Sequence, residues 1–169
     1  MQEEFTAMIE MQSLYPNTKP ELYALLQQQL HALLDGERHS IPNLANTAAL
    51  LAGALEDINW AGFYLMTDGY LLLGPFQGKP ACIRVSLGSG VCGTAAALDT
   101  TQRIADVHLF PGHIACDCAS NSEIVIPIHA AGKVIGVLDV DSPLFNRFDQ
   151  EDQEGLEEMV RILETSCTW

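Results

Sequence analysis

The feature that most constrains this chain is a pair of β-branched segments, residues 123–129 and 133–140, separated only by Ala130-Ala131-Gly132. So short a connection leaves no room for a crossover helix, and the two segments must pair antiparallel as a hairpin. A second hairpin lies upstream. Residues 59–66 and 70–76 read as strands, and Asp68-Gly69 between them is a strong turn signal. After the turn Gly78-Lys79-Pro80, residues 81–85 read as a third strand, which carries Cys82; residues 103–105 make a further short one. Hairpins dominate, so the sheet is expected to be mainly antiparallel.

Helices flank these strands. Residues before Pro20 read as weakly structured or as a short helix. Thr18-Lys19-Pro20 opens a helix marked by Leu22, Leu25, Leu26, Leu33 and Leu34, which Gly36 ends. Ser40 is a candidate N-cap for the next, whose buried stripe is Leu44, Ala45, Ala48, Leu51, Ala52 and Leu55. Gly88-Ser89-Gly90 leads into a short helix over residues 91–98 with Cys92 in its first turn. Phe148-Asp149 opens the last, with Leu156, Met159, Val160 and Leu163 on its apolar face and acids in its first turn. The pattern is that of an α+β fold with helices on the faces of the sheet.

The formal net charge is −14, which disfavours nucleic acid and anionic membranes as partners. Apolar runs are far shorter than a membrane span. The acidic start Met-Gln-Glu-Glu lacks the build of a signal peptide. A cytoplasmic location with reduced thiols is therefore expected. Five cysteines in such a setting point to catalytic, redox or metal roles, weighed against inert burial.

The stretch from Gly112 to Ser122 holds two of them, Cys116 and Cys118, in a loop long for a compact domain. His113 is placed to help form a thiolate at Cys116, and the adjacent Asp117 to oppose it. Cys92, at a helix N-terminus, is a second candidate thiolate. Cys167 reads as incidental. His108, His113, Cys116 and Cys118 are also four candidate metal ligands, although Cys-x-Cys is not the common zinc spacing. Asp139 and Asp141 end one strand and share a face by alternation, and Glu123 begins its hairpin partner. The three acids are expected together at one end of the sheet, where mutual repulsion leaves one protonated near neutral pH. Trp60, Gly62 and Tyr64 share a face of their strand and are candidates to line an apolar subsite.

Taken in order, Asn59-Trp60-Ala61-Gly62-Phe63-Tyr64, Gly74-Pro75-Phe76-Gln77-Gly78, Gly90-Val91-Cys92-Gly93-Thr94-Ala95, His113-Ile114-Ala115-Cys116-Asp117, Ser120-Asn121-Ser122-Glu123-Ile124-Val125 and Leu138-Asp139-Val140-Asp141-Ser142 closely resemble the free methionine-(R)-sulfoxide reductases. These are stand-alone GAF-domain enzymes. The resemblance implies a GAF fold, a six-stranded antiparallel sheet between helix layers. It divides the chain into an N-terminal helical segment, residues 1–39, and a catalytic domain, residues 40–169.

The resemblance also implies roles. Cys116 matches the catalytic cysteine, Cys82 the resolving cysteine and Cys92 an auxiliary one. Glu123, Asp139 and Asp141 match acids of the substrate pocket, and Trp60 the tryptophan that meets the substrate's methyl end. Cys118 is outside the pattern and leaves open a different partner for Cys116. A Cys-x-Cys disulfide is strained, which favours Cys82. The implied substrate is free methionine-(R)-sulfoxide. The implied reductant is thioredoxin or another dithiol, with no metal or organic cofactor, and the implied assembly is a homodimer. The competing expectation is a non-catalytic GAF sensor that binds a small molecule.

Overall fold

The defining hairpin forms as its sequence dictates. In this computed structural model, which describes residues 15–114 and 117–169, strands β5 (Ser122–Ala130) and β6 (Lys133–Ser142) pair antiparallel from Ser122 opposite Ser142 to Ala130 opposite Lys133. The reversal is one residue shorter than expected. Only Ala131 and Gly132 lie in it, both left-handed at φ 51° and 72°, the conformation that matches the twist of the flanking strands. Strands β1 (Trp60–Thr67) and β2 (Tyr70–Gly78) make the second hairpin through Asp68 and Gly69, again both at positive φ.

Strand β1 also pairs with β6 and so joins the hairpins. With β3 (Arg84–Ser86) on one edge and β4 (Gln102–Ile104) on the other, the order is β3-β2-β1-β6-β5-β4, antiparallel throughout. One expected strand is corrected. Residues 81–85 do not form it; β3 begins at Arg84, and Cys82 sits in the segment before it. Pro80 has no N–H to give a ladder, and the Cys82 carbonyl accepts from the Tyr64 hydroxyl at 2.9 Å instead.

Alternation along the strands sorts the core into two layers. Ala61, Phe63, Ile124, Ile126, Ile128, Leu138 and Val140 point to one face, where helices α1 (Lys19–Leu34), α2 (Ser40–Ala54) and α4 (Gln150–Ser166) cover them. Trp60, Tyr64, Val125 and Val137 point to the other, against Val91, Cys92, Ala95 and Ala96 of α3 (Gly90–Leu98). Helices thus lie on both faces. Each fully buried leucine or phenylalanine contributes about 1.5–3 kcal/mol relative to exposure. Ser40 proves to be the first helical residue of α2 rather than its cap, which is His39.

Helix α1 docks on α4 because position 155 is glycine; a Cβ there would overlap the Tyr23 ring. Polar contacts fix the docking. Asp152, in the first turn of α4, accepts from the Tyr23 hydroxyl at 2.9 Å, Lys19 Nζ at 2.5 Å and Arg147 Nη1 at 3.1 Å. It also closes a capping box with Asp149. Among the described residues, no helix is long and apolar enough to cross a membrane.

Candidate active site

The α3 face of the sheet carries the acids. Register places Glu123 opposite Asp141 and Val125 opposite Asp139, while β1 sets Trp60 opposite Asp141 and Gly62 opposite Asp139. Three central strands thereby bring Glu123, Asp139, Asp141 and Trp60 to one place, the end of the sheet expected from alternation. Together with Tyr64, Cys92, His113, Ile114 and Asp117 they line a cleft that opens to solvent.

An aromatic wall forms one flank. The Trp60 ring stacks on Phe76 with centroids 5.3 Å apart and on Tyr64 at 6.0 Å. Glycine at 62 makes this possible, since a Cβ there would overlap that of Phe76. The Trp60 indole N–H donates to the Lys79 carbonyl at 3.1 Å and the Tyr64 hydroxyl to that of Cys82. The wall therefore holds the segment that carries Cys82, which is half-buried and a free thiol.

The acids lie in a medium that disfavours their charge. Glu123 is 5% exposed and Asp139 6%. Burial first, then the charges of Asp139 and Asp141, holds the Glu123 carboxyl well above the usual carboxylate range. Burial, then Asp139 and Asp117, does the same to Asp141. Asp139 is raised by burial to about 7, with hydrogen bonds from Cys92 and Glu123 pulling the other way. Burial and mutual repulsion thus favour protonated forms within this group of three carboxyls. Such a group binds an ammonium and has a proton to give. Asp139 Oδ1 is buried with no hydrogen-bond partner.

Cys92 departs from expectation. It does lie in the first turn of α3, but its sulfur sits 4.0 Å from Glu123 Oε1. Burial, then the charges of Asp139 and Glu123, pushes its thiol well above the ordinary range. Desolvation and nearby carboxylates outweigh the helix terminus, so Cys92 is a neutral thiol rather than a thiolate.

The cysteine loop is tied down at Asp117. Its carboxylate accepts from Asn59 Nδ2 at 3.2 Å, the Ala119 N–H at 2.9 Å and Lys79 Nζ at 3.3 Å. The Ala119 N–H, outweighing burial, keeps the carboxyl below its usual range. Asn59 Nδ2 also donates to Ser120 Oγ at 3.0 Å. Sequence reasoning missed Lys79 and Ser120, because no periodicity marks a residue whose role is set by a loop folding back. His113 lies with Nε2 3.8 Å from Glu123 Oε2, its pKa lowered by burial and by His108. Cys116, for which His113 and Asp117 are expected to compete, lies outside the described residues. Cys118 is an exposed free thiol, while Cys167 is buried with Asn43 Nδ2 at 3.5 Å. Among the described residues, His108, His113 and Cys118 do not assemble as a ligand group; Cys92, Glu123 and Asp139 do.

Comparison with known proteins agrees with this geometry. Residues 41–165 match the GAF domain family. The free methionine-R-sulfoxide reductase of Escherichia coli strain K12 is 58% identical over 146 residues, covering 86% of this chain and 88% of its own. The structure of fRMsr of Staphylococcus aureus in complex with substrate superposes with a TM-score of 0.82 at 52% identity, covering 85% of this chain and 94% of that one. The free methionine-R-sulfoxide reductase of Neisseria meningitidis, solved with its substrate, gives a TM-score of 0.86 at 42% identity over 89% of this chain and 91% of that one. The chain therefore belongs to the GAF domain family and, within it, to the free methionine-R-sulfoxide reductases.

Proposed function

We propose that this protein reduces free L-methionine-(R)-sulfoxide to L-methionine. The observation that carries the reading is the trio of buried Glu123 and Asp139 with half-buried Asp141, facing the Trp60 wall inside one cleft. A free amino acid presents an ammonium and a thioether-like end to these two surfaces. Methionine sulfoxide within a polypeptide has no free ammonium and would leave the trio's charge unmatched.

In this mechanism the Cys116 thiolate attacks the electrophilic sulfoxide sulfur. Asp141, whose protonated form burial favours, gives its proton to the sulfoxide oxygen as charge develops there. Glu123 and Asp139 hold the ammonium, and the methyl end packs on Trp60 beside Tyr64. Methionine leaves, and the oxygen remains on Cys116 as a sulfenic acid. The Cys82 thiol condenses with it, forming the Cys116–Cys82 disulfide and releasing water. A dithiol such as thioredoxin restores both thiols by exchange. Thiols and carboxyls account for every step. Lys79 ties the Cys82 segment to Asp117, the neighbour of Cys116, which supports Cys82 as the resolving thiol.

The test is turnover of free methionine-R-sulfoxide with dithiothreitol, read as methionine formed. No product overturns the reading. Cys116→Ser is expected to abolish turnover. Cys82→Ser is expected to release about one equivalent of methionine and then stall with thioredoxin as reductant. A stall in Cys118→Ser instead would reassign the resolving role.

A further inference from the structure

The acid trio has a chemical neighbour that an ammonium does not use. Cys92 projects from α3 onto the same wall, its sulfur 4.0 Å from Glu123 Oε1. One ligand atom from each of Cys92, Glu123 and Asp139 lies within 4.8 Å of the other two, and all three residues are buried. Asp139 Oδ1 accepts nothing from the protein, a state that is unfavourable until something occupies the site. A four-coordinate zinc ion takes sulfur at about 2.3 Å and carboxylate oxygen at about 2.0–2.2 Å. His113 Nε2, 3.8 Å from Glu123 Oε2, lies outside this set.

We propose that Cys92, Glu123 and Asp139 form an inhibitory site for a divalent transition-metal ion of the zinc class, with the fourth position open to a small ligand. The sulfur decides the class. A thiolate selects zinc or a similar borderline-soft ion and discriminates against magnesium and calcium. Helix α3 and strands β5 and β6 fix the three donors, so little ordering is needed on binding. The ion replaces the protons held by the thiol and the carboxyls, with no change of oxidation state. Its affinity therefore rises with pH, by roughly tenfold per pH unit for each proton displaced. It occupies the place of the substrate's ammonium, so ion and substrate exclude each other. That the ion inhibits rests on the reductase reading; that it binds does not.

Cobalt(II) reports the ligand directly, because a thiolate bound to it gives a near-ultraviolet charge-transfer band. The full chain, kept reduced with a phosphine, is titrated with cobalt(II) and then with zinc. The expected result is a band that zinc abolishes, retained in Cys82→Ser, Cys116→Ser and Cys118→Ser and lost in Cys92→Ser. Glu123→Gln and Asp139→Asn, which keep the thiol, are expected to weaken cobalt affinity by about tenfold or more. These two variants also carry the test if Cys92→Ser does not fold. A wild-type protein without the band overturns the site, as does a band that depends on Cys116 and not on Cys92. In turnover assays zinc is expected to raise KM for the sulfoxide and leave kcat unchanged. Turnover without the band refutes the metal site alone; the band without turnover refutes the reductase reading alone.

Discussion

At the scale of single residues, the site stores an electrostatic cost. Asp139 is raised by burial from 3.8 in water to about 7 in the folded protein. The folded state therefore binds a proton that the unfolded chain releases. This contribution to stability is fully present below about pH 4 and is lost as pH rises through about 7. Asp139→Asn, which carries no such proton, is expected to flatten that fall and to be more stable than the parent above neutral pH. The gain is on the order of 1–3 kcal/mol, less than the full shift implies because Glu123 and Asp141 relax in compensation. Urea unfolding at mildly acid and mildly alkaline pH measures it; a variant less stable than the parent at the alkaline end contradicts the assignment. The same substitution removes a partner for the substrate ammonium, so its KM is expected to rise.

At the scale of elements, the contact of α1 with α4 hangs on one carboxylate. Asp152 is 1% exposed and receives Tyr23, Lys19 and Arg147 together. Removing it strands three donors in a partly buried junction. Asp152→Ala is expected to cost about 3–5 kcal/mol, and Asp152→Asn less, since its amide oxygen still accepts. Denaturant midpoints check the order; equal losses for the two would show that the negative charge, not an accepting oxygen as such, holds the helices together. This hub was illegible in the sequence, where Asp152 reads only as one acid in an acidic first turn. The elements themselves were legible. Asp68-Gly69 and Ala131-Gly132 mark reversals that only left-handed residues make, and period-two alternation sorts Phe63 from Trp60. Local chemistry suffices for such features. It fails at Cys82, where β-like residues are withheld from the sheet by Pro80 and a tyrosine four strand positions away from Trp60 in sequence. It fails again at Cys92, whose titration is governed by burial and by carboxyls on distant strands rather than by its own helix.

At the scale of the whole molecule, 22 acidic residues face 8 lysines and arginines, a net −14. A domain of this length has a radius of gyration of about 15 Å. At about 0.01 M salt the screening length is about 30 Å, so nearly every surface carboxylate repels every other; at about 0.15 M it is about 8 Å. Salt also weakens attractions, but those are few and local, such as Lys19 with Asp149 and Arg161 with Glu158. The repulsion is long-ranged and more numerous, and folding concentrates it. Thermal stability is therefore expected to rise with added sodium chloride across that interval. A melting temperature that falls would mean that ion pairs such as the Asp152 hub outweigh the net charge. The zwitterionic substrate of the proposed reaction is neutral overall and gains nothing from the long-range field. Its kcat/KM is accordingly expected to change far less with salt than the melting temperature does, because the carboxyls that would recognise it are buried and act at contact distance.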